Sequence, residues 1–394
     1  MIDDEVRKMQ DKREQEELLK RQVAEIMEED QQESQEWEER PRQGRGKKSR
    51  KKKYRALKTV TIIMALLLVG MGFMLGTKTG RRLIYKAAGN FVYNNTDKTE
   101  EEEEIEEDKI EHVPGIRHED YVTNYLIFGI EGFGGAKNTD SMMIASINTK
   151  DNTVKLTSLL RDSYVEIPGY KSNKLNAAYS KGGAALLIKT IETNYKIQID
   201  GYASVDFKSF EGIVDMLGGV TIELGKEEAA YLNKTNYISK KENRNVHAGV
   251  NRLNGNQAMG YCRVRKVKTL GGANNDYGRI VRQQRVLKAM FDSYVAPRNM
   301  LQLLPITKQG LGYVTTNLSQ RQIEKAMEAV VENKITTMET SRIPVDGSFD
   351  APKKYNGIGY PLVLNWEKNR VELYKFIFGD TQEEAEAKLA SLGK

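Results

Sequence analysis

The chain has 394 residues, of which 39% are hydrophobic and 29% charged, with a formal net charge of +6. A single cysteine, Cys262, excludes an internal disulfide and any cysteine-built zinc or iron–sulfur centre. Three histidines, His112, His118 and His247, leave little room for a His-rich metal site or a Ser-His-Asp arrangement.

The net charge hides opposing blocks. Residues 1–40 carry 15 acidic and 7 basic side chains, and residues 41–58 carry 10 basic and no acidic ones. Residues 59–77, TVTIIMALLLVGMGFMLGT, hold no charge in 19 positions. As a helix that run spans about 28 Å at about 1.5 Å per residue, close to the hydrocarbon thickness of a bilayer. It lacks a polar face, lies between Lys58 and Lys78, and sits too far from the N-terminus for a cleaved signal peptide. The pattern predicts one transmembrane helix. Ten Lys/Arg precede it and four, Lys78, Arg81, Arg82 and Lys86, closely follow. That bias makes 1–58 a cytoplasmic charged tail of a single-pass cell-membrane protein and puts the remainder outside. The run KKSRKKKYR, beside the span, fits contact with anionic membrane lipid better than with nucleic acid. The tail before it has helix-favouring composition without a sustained heptad, so helix and disorder both remain open.

Residues 78–120 read as an acidic linker, with eight acids in nine positions at 100–108. The folded domain is expected over 121–394. NYLIFGI (124–130), SMMIASIN (141–148), TVKLTSLL (153–160), GYASVDF (201–207) and GVTIEL (219–224) predict strands. Helices are predicted over 184–195, 208–219, 279–296, 319–334 and 367–378. Strands interleaved with helices predict an α/β domain, a mixed central sheet covered by helices.

The chemistry rests on arginines and carboxylates at element ends. No G-x-x-x-x-G-K-[ST] phosphate loop occurs, and the glycines of GIEGFGG (129–135) read as a loop. LLRD puts Arg161 and Asp162 directly after an apolar strand. YCRVR puts Arg263 and Arg265 on one face if that segment is extended. DYGRIVRQQ puts Arg279, Arg282 and Gln283 at a helix start, where backbone N–H groups also favour an anion. Asp140 precedes one strand and Glu131 follows another. Taken singly, each is an ordinary surface arginine, cap or ion pair. Together, at element boundaries of one domain, they predict a phosphate site, because guanidinium forks bind phosphate oxygens in pairs. A carboxylate pair can also hold Mg²⁺ against a diphosphate.

Six stretches carry a family resemblance: TDSMMIASIN, LTSLLRDSYVEIPG, KLNAAYSKGG, VDFKSFEGIVDMLGGV, LNGNQAMGYCRVR and DYGRIVRQQRVLKAM. In this order, over roughly 121–296, the chain resembles the LytR–CpsA–Psr cell-wall glycopolymer transferases. The resemblance implies an α/β fold with an apolar pocket for a polyprenyl chain and an arginine-lined mouth for its pyrophosphate. It implies Mg²⁺ (or Mn²⁺) between two carboxylates, and transfer of a teichoic acid or capsular glycan from that carrier to a hydroxyl of peptidoglycan. Asp140 matches a metal-binding aspartate. Glu131 stands where the family usually has another aspartate, Asn138 where an arginine is common, and Leu160 where proline is usual. Arg161, Arg263, Arg265, Arg279 and Gln283 match the pyrophosphate-binding set. Asp162, Lys174, Asn176, Asp276 and Arg282 also match, with scaffolding an equally good role. The implied catalytic residues are Asp140, Arg161 and Asp162, with Asp140 or Asp162 taking the proton of the attacking hydroxyl. Two rival readings remain open: a polyprenyl-pyrophosphate hydrolase, and a non-enzymatic membrane regulator of the cell envelope.

Overall fold

Three strands open the domain as an antiparallel meander: β1 (Val122–Phe133), β2 (Ala136–Asn148) and β3 (Thr153–Leu159). The computed structural model describes residues 77–96, 110–133, 136–295 and 314–392. The charged tail, the acidic run 100–108 and, save Thr77, the apolar run 59–77 lie outside the described residues. No helix among the described residues is long and apolar enough to cross a membrane.

After the meander come the short pair β4 (Tyr164–Val165) and β5 (Asn173–Lys174), then β6 (Gly201–Asp206). A separate antiparallel pair, β7 (Val220–Leu224) and β8 (Gly249–Leu253), lies outside the main sheet. With β9 (Thr315–Thr316) and β10 (Thr337–Ile343), the main sheet has the order β10-β3-β2-β1-β6-β9. β1 runs parallel to β6 and β10 parallel to β3, while the other pairs are antiparallel, so the sheet is mixed as expected.

Alternation along the strands sends side chains to both faces. Leu126, Phe128, Met142 and Ile144 join Leu187, Ile191, Tyr374 and Ile377 in the largest core. Those partners come from α2 (Asn176–Tyr195) and α8 (Trp366–Phe378). Each such side chain, fully withdrawn from water, contributes about 1.5–3 kcal/mol. On the other face Tyr125, Ile147 and Val154 meet Phe291 and Ala329. These belong to α6 (Asn275–Val295) and α7 (Gln320–Glu332). A further core joins β7 and β8 to α3 (Phe207–Met216), α4 (Lys226–Lys234) and α5 (Gly255–Arg263) through Val214, Leu232 and Tyr261. A last helix, α9 (Gln382–Leu392), covers α8 and buries Ala385.

Four local expectations change. The GIEGFGG segment is strand rather than loop over 129–133, because AKNT pairs with it: Glu131 opposes Asn138 and Phe133 opposes Ala136. α2 begins eight residues before the expected 184, since Gly182 and Gly183 break its helical geometry and hide the periodicity before them. Arg263 ends α5 rather than lying on an extended segment with Arg265. The reason is a reciprocal cap: Asn254 Oδ1 accepts from Gln257 N and Gln257 Oε1 from Asn254 N, each at 2.9 Å, which starts a short helix there. Finally, residues 78–95 of the expected linker form α1 (Lys78–Asn95), tied to α7 by Arg81, whose two nitrogens reach Glu332 at 2.7 and 2.8 Å, and by Tyr85 Oη at 3.1 Å.

Candidate active site

The site forms where β2, the end of β3, the segment after α5 and the start of α6 converge. Gly129 opposes Ser141 while Ile130 opposes Thr139, so Asp140 is the extra residue of a β-bulge. A bulge turns its residue out of the ladder's alternation. Arg161 Nη1 donates to Asp140 Oδ1 at 2.5 Å. Arg265 and Arg279 approach Asp140 Oδ2 to 3.6 and 3.9 Å. Asp276, Arg279 and Gln283 share one face of α6 through their spacings of three and four. Asp276 faces Arg265 at 3.3 Å and Arg279 at 3.4 Å. Gln283 Oε1 accepts from Ser141 Oγ at 3.1 Å, and the Arg263 guanidinium lies 5.0 Å over the Phe207 ring.

The arginines are not electrostatically alike. Burial works against the charge of Arg161, but Asp140, Asp162 and Asp276 outweigh it and hold its pKa above the ordinary value. For Arg279 the balance reverses. Burial, reinforced by repulsion from Arg265 and Arg161, outweighs Asp276 and Asp140 and lowers its pKa. Arg279 is only 6% exposed, and its Nε has no hydrogen-bond partner among the described residues. It is a buried cation short of counter-charge, the condition that a bound anion relieves.

Beside this cluster lies a cavity of about 380 Å³, within the range of small-ligand pockets. Its apolar wall includes Ile127, Phe207, Phe210, Tyr237, Met259 and Leu287. Asp140, Arg263, Arg265, Lys266, Arg279 and Gln283 line its polar part. Cys262 also borders it, but burial pushes that thiol up to about 12, so it stays protonated and is no nucleophile.

The sequence match of the LytR_cpsA_psr family covers residues 88–370, well over half the chain. This chain belongs to that family. Among its LytR_cpsA_psr relatives, the regulatory protein MsrR of Staphylococcus aureus is 30% identical over 275 residues, spanning 69% of this chain and 79% of that protein. The polyisoprenyl-teichoic acid–peptidoglycan teichoic acid transferase TagU of Bacillus mycoides is 32% identical, over 62% of this chain and 75% of that protein. The crystal structure of Bacillus subtilis TagV aligns with a TM-score of 0.50 and 26% identity, over 66% of this chain and 99% of that one.

Within the LytR_cpsA_psr domain the remaining matched positions separate. Lys174 Nζ holds Asp162 at 2.9 Å, and the Asn176 backbone N–H donates to the Arg161 carbonyl at 3.2 Å. The N–H of Leu160 donates to the Ile343 carbonyl at 3.0 Å, a bond that a proline would lack. Arg282 does not reach the site. It is fully buried, donates from Nε to Glu228 at 2.8 Å, and donates to the carbonyls of Val264 and Val267 at 3.1 and 2.9 Å. It thereby fixes the backbone that carries Arg265. Replacing Arg282 by Met is expected to cost about 3–5 kcal/mol, because Glu228 is left buried and unpaired. Calorimetry should show Tm falling on the order of 10 °C, with much of it restored by adding Glu228→Leu. A fall under about 1 kcal/mol would contradict that role.

The side chains of Glu131 and Asn138 lie outside the described set. Among the described residues no group of three or more His, Cys, Asp or Glu could hold a metal ion. Asp140 offers hard oxygens that arginines already face, an arrangement that suits Mg²⁺ only once a diphosphate brings further oxygens. Ser141, Phe207 and Phe210 fall within the matched stretches TDSMMIASIN and VDFKSFEGIVDMLGGV, but no local pattern assigns them a role: Ser141 holds Gln283, and Phe207, Phe210 and Tyr237 reach the cavity wall only through chain reversal.

Proposed function

We propose that this protein is a membrane-anchored phosphotransferase that moves a glycopolymer from a polyprenyl-pyrophosphate carrier to a hydroxyl of peptidoglycan. One observation carries the reading: an apolar cavity opens onto Arg263, Arg265 and a buried Arg279 that lacks a full counter-charge. That combination suits an apolar chain ending in a diphosphate. The names of the related transferases TagU and TagV support the same chemistry. Residues 59–77 supply the anchor, the N-terminus is cytoplasmic, and the domain lies outside the cell.

In this account Arg161, Arg263, Arg265 and Arg279 bind the diphosphate, and Gln283 adds a polar contact. The acceptor oxygen attacks the phosphorus that bears the glycan. A new P–O bond forms to the acceptor, the bond to the bridging oxygen breaks, and polyprenyl phosphate leaves. The hydroxyl proton passes to a carboxylate. Asp140 fits this task better than Asp162, because it lines the cavity beside the arginines and Asp162 does not. The arginines neutralise the charge that grows on the leaving group. Glu131 and Asp140 would hold Mg²⁺ (or Mn²⁺), which when bound supplies further counter-charge to the diphosphate.

The test is incubation of the full-length protein with glycan-labelled carrier, with and without peptidoglycan. The proposal predicts label covalently joined to peptidoglycan and equimolar polyprenyl phosphate. Release of free glycan phosphate regardless of peptidoglycan identifies a hydrolase. Carrier binding without any turnover identifies a regulator.

A further inference from the structure

A second cavity, of about 290 Å³, lies on the other side of the charged cluster. Asp140, Ser141, Arg279 and Gln283 border both cavities, so they form a partition between them. The two chambers differ in chemistry. The second has Arg161, Asp162, Asn275 and Asp276 beside three rings, Tyr277, Phe349 and Tyr360, with Leu160, Ile280 and Leu362 as its aliphatic part in place of the first chamber's Phe207–Phe210 wall.

Tyr360 stands out within it. The residue is 70% exposed, and its backbone φ of +51° lies in the left-handed region that a bulky residue rarely adopts. Asn275, on the same cavity, also has a positive φ, of +52°. Residues kept in such conformations gather at ligand sites, where the surrounding structure holds them. The hold on Tyr360 is visible. Its N–H donates to the Lys353 carbonyl at 2.9 Å. Two residues on, the Leu362 N–H donates to the Asp162 carbonyl at 2.8 Å, and its carbonyl accepts from Tyr164 at 2.7 Å. The ring is therefore carried on a backbone stitched to the segment that follows Arg161.

Displacement at phosphorus runs in line, with the nucleophile opposite the leaving oxygen. If the apolar cavity takes the carrier's lipid, the leaving oxygen points there and the nucleophile must approach from the partition's other side. An aromatic face for the C–H side of a pyranose, with amide and carboxylate groups for its hydroxyls, is sugar-binding chemistry. We propose that the second cavity binds the acceptor, a pyranose unit of a peptidoglycan glycan strand, with Tyr360 as its stacking platform and Asn275 as a polar contact. The proposal rests on the transferase reading and adds the place of its second substrate.

The experiment compares full-length wild type, Tyr360→Ala and Tyr360→Phe with uncrosslinked peptidoglycan strands as acceptor, varying carrier and acceptor separately. Tyr360→Ala should raise the acceptor KM about tenfold and leave the carrier KM unchanged, while Tyr360→Phe keeps the platform and stays near wild type. Calorimetry of strand binding gives the same comparison without turnover. Strands that bind wild type and bind Tyr360→Ala about tenfold more weakly support the site even if no transfer occurs, an outcome that sinks only the transferase reading. An unchanged acceptor KM with unchanged strand binding overturns the proposal. So does a rise in carrier KM instead, which would assign the cavity to the carrier's own glycan.

Discussion

Asp140→Asn is expected to lower kcat for transfer by about 10²- to 10⁴-fold, the usual worth of a positioned general base. Without Mg²⁺, binding of the lipid diphosphate should not weaken with it. Asp140 is faced by Arg161 at 2.5 Å, Arg265 at 3.6 Å and Arg279 at 3.9 Å, so it competes with the phosphate oxygens for those arginines. Removing its charge frees the cluster, and the carrier Kd measured without Mg²⁺ should stay level or fall. The same carboxylate is the proposed partner of Glu131 for Mg²⁺. Calorimetry of wild type should therefore show Mg²⁺ binding more tightly with the lipid diphosphate than without it, and Asp140→Asn should lose that coupling. Glu131→Gln should reduce it less, because Asp140 is fixed by the bulge of β2. Wild-type rates for Asp140→Asn, or full activity in chelator, would remove these assignments.

Arg279→Ala is expected to weaken binding of a polyprenyl diphosphate by about one to two orders of magnitude, as for the loss of a charge-assisted contact of roughly 1.5–3 kcal/mol. Arg279→Lys should recover only part, because an ammonium cannot make the paired contact. Stability should move the other way. Arg279 is buried with a lowered pKa and an unpartnered Nε, so its charge is a cost to the unliganded fold. Removing it should leave Tm unchanged or raise it. Lower affinity at undiminished Tm is the signature of a residue kept for its ligand; lower affinity with a large drop in Tm would make Arg279 a structural residue. Asp140→Asn and Arg279→Ala thus pull apart, one acting on turnover and the other on binding.

How far these features were legible in the sequence depends on the range of the interactions behind them. The strands β1, β2, β3 and β6 are apolar, β-branched runs, so local composition reveals them, and their alternation with helices gave the mixed α/β sheet. Short-range signals that conflict with pattern were harder. The pair Gly182–Gly183 masked the first turns of α2, and the cap formed by Asn254 and Gln257 turned YCR into helix although its residues also suit a strand. The arginines of the site stood out because several fell at element ends, and Arg161, Arg265 and Arg279 do meet at Asp140. Arg282 is one turn from that cluster's helix face but is turned inward to Glu228, a choice set by a partner 54 residues away that no local pattern reports. Tyr360 lay still further out of reach: it joins Asp162 and Asn275 only after the chain has returned past β10.

In the proposed reaction a hydroxyl of peptidoglycan, not water, receives the phosphoryl group. Turnover of the glycan-linked carrier in ¹⁸O-water, with mass analysis of the phosphorus-containing products, tests it directly. Transfer to peptidoglycan is expected to give a glycan–peptidoglycan phosphodiester without ¹⁸O on phosphorus, together with unlabelled polyprenyl phosphate. A glycan phosphomonoester carrying one ¹⁸O, formed at the same rate with and without peptidoglycan, would contradict it.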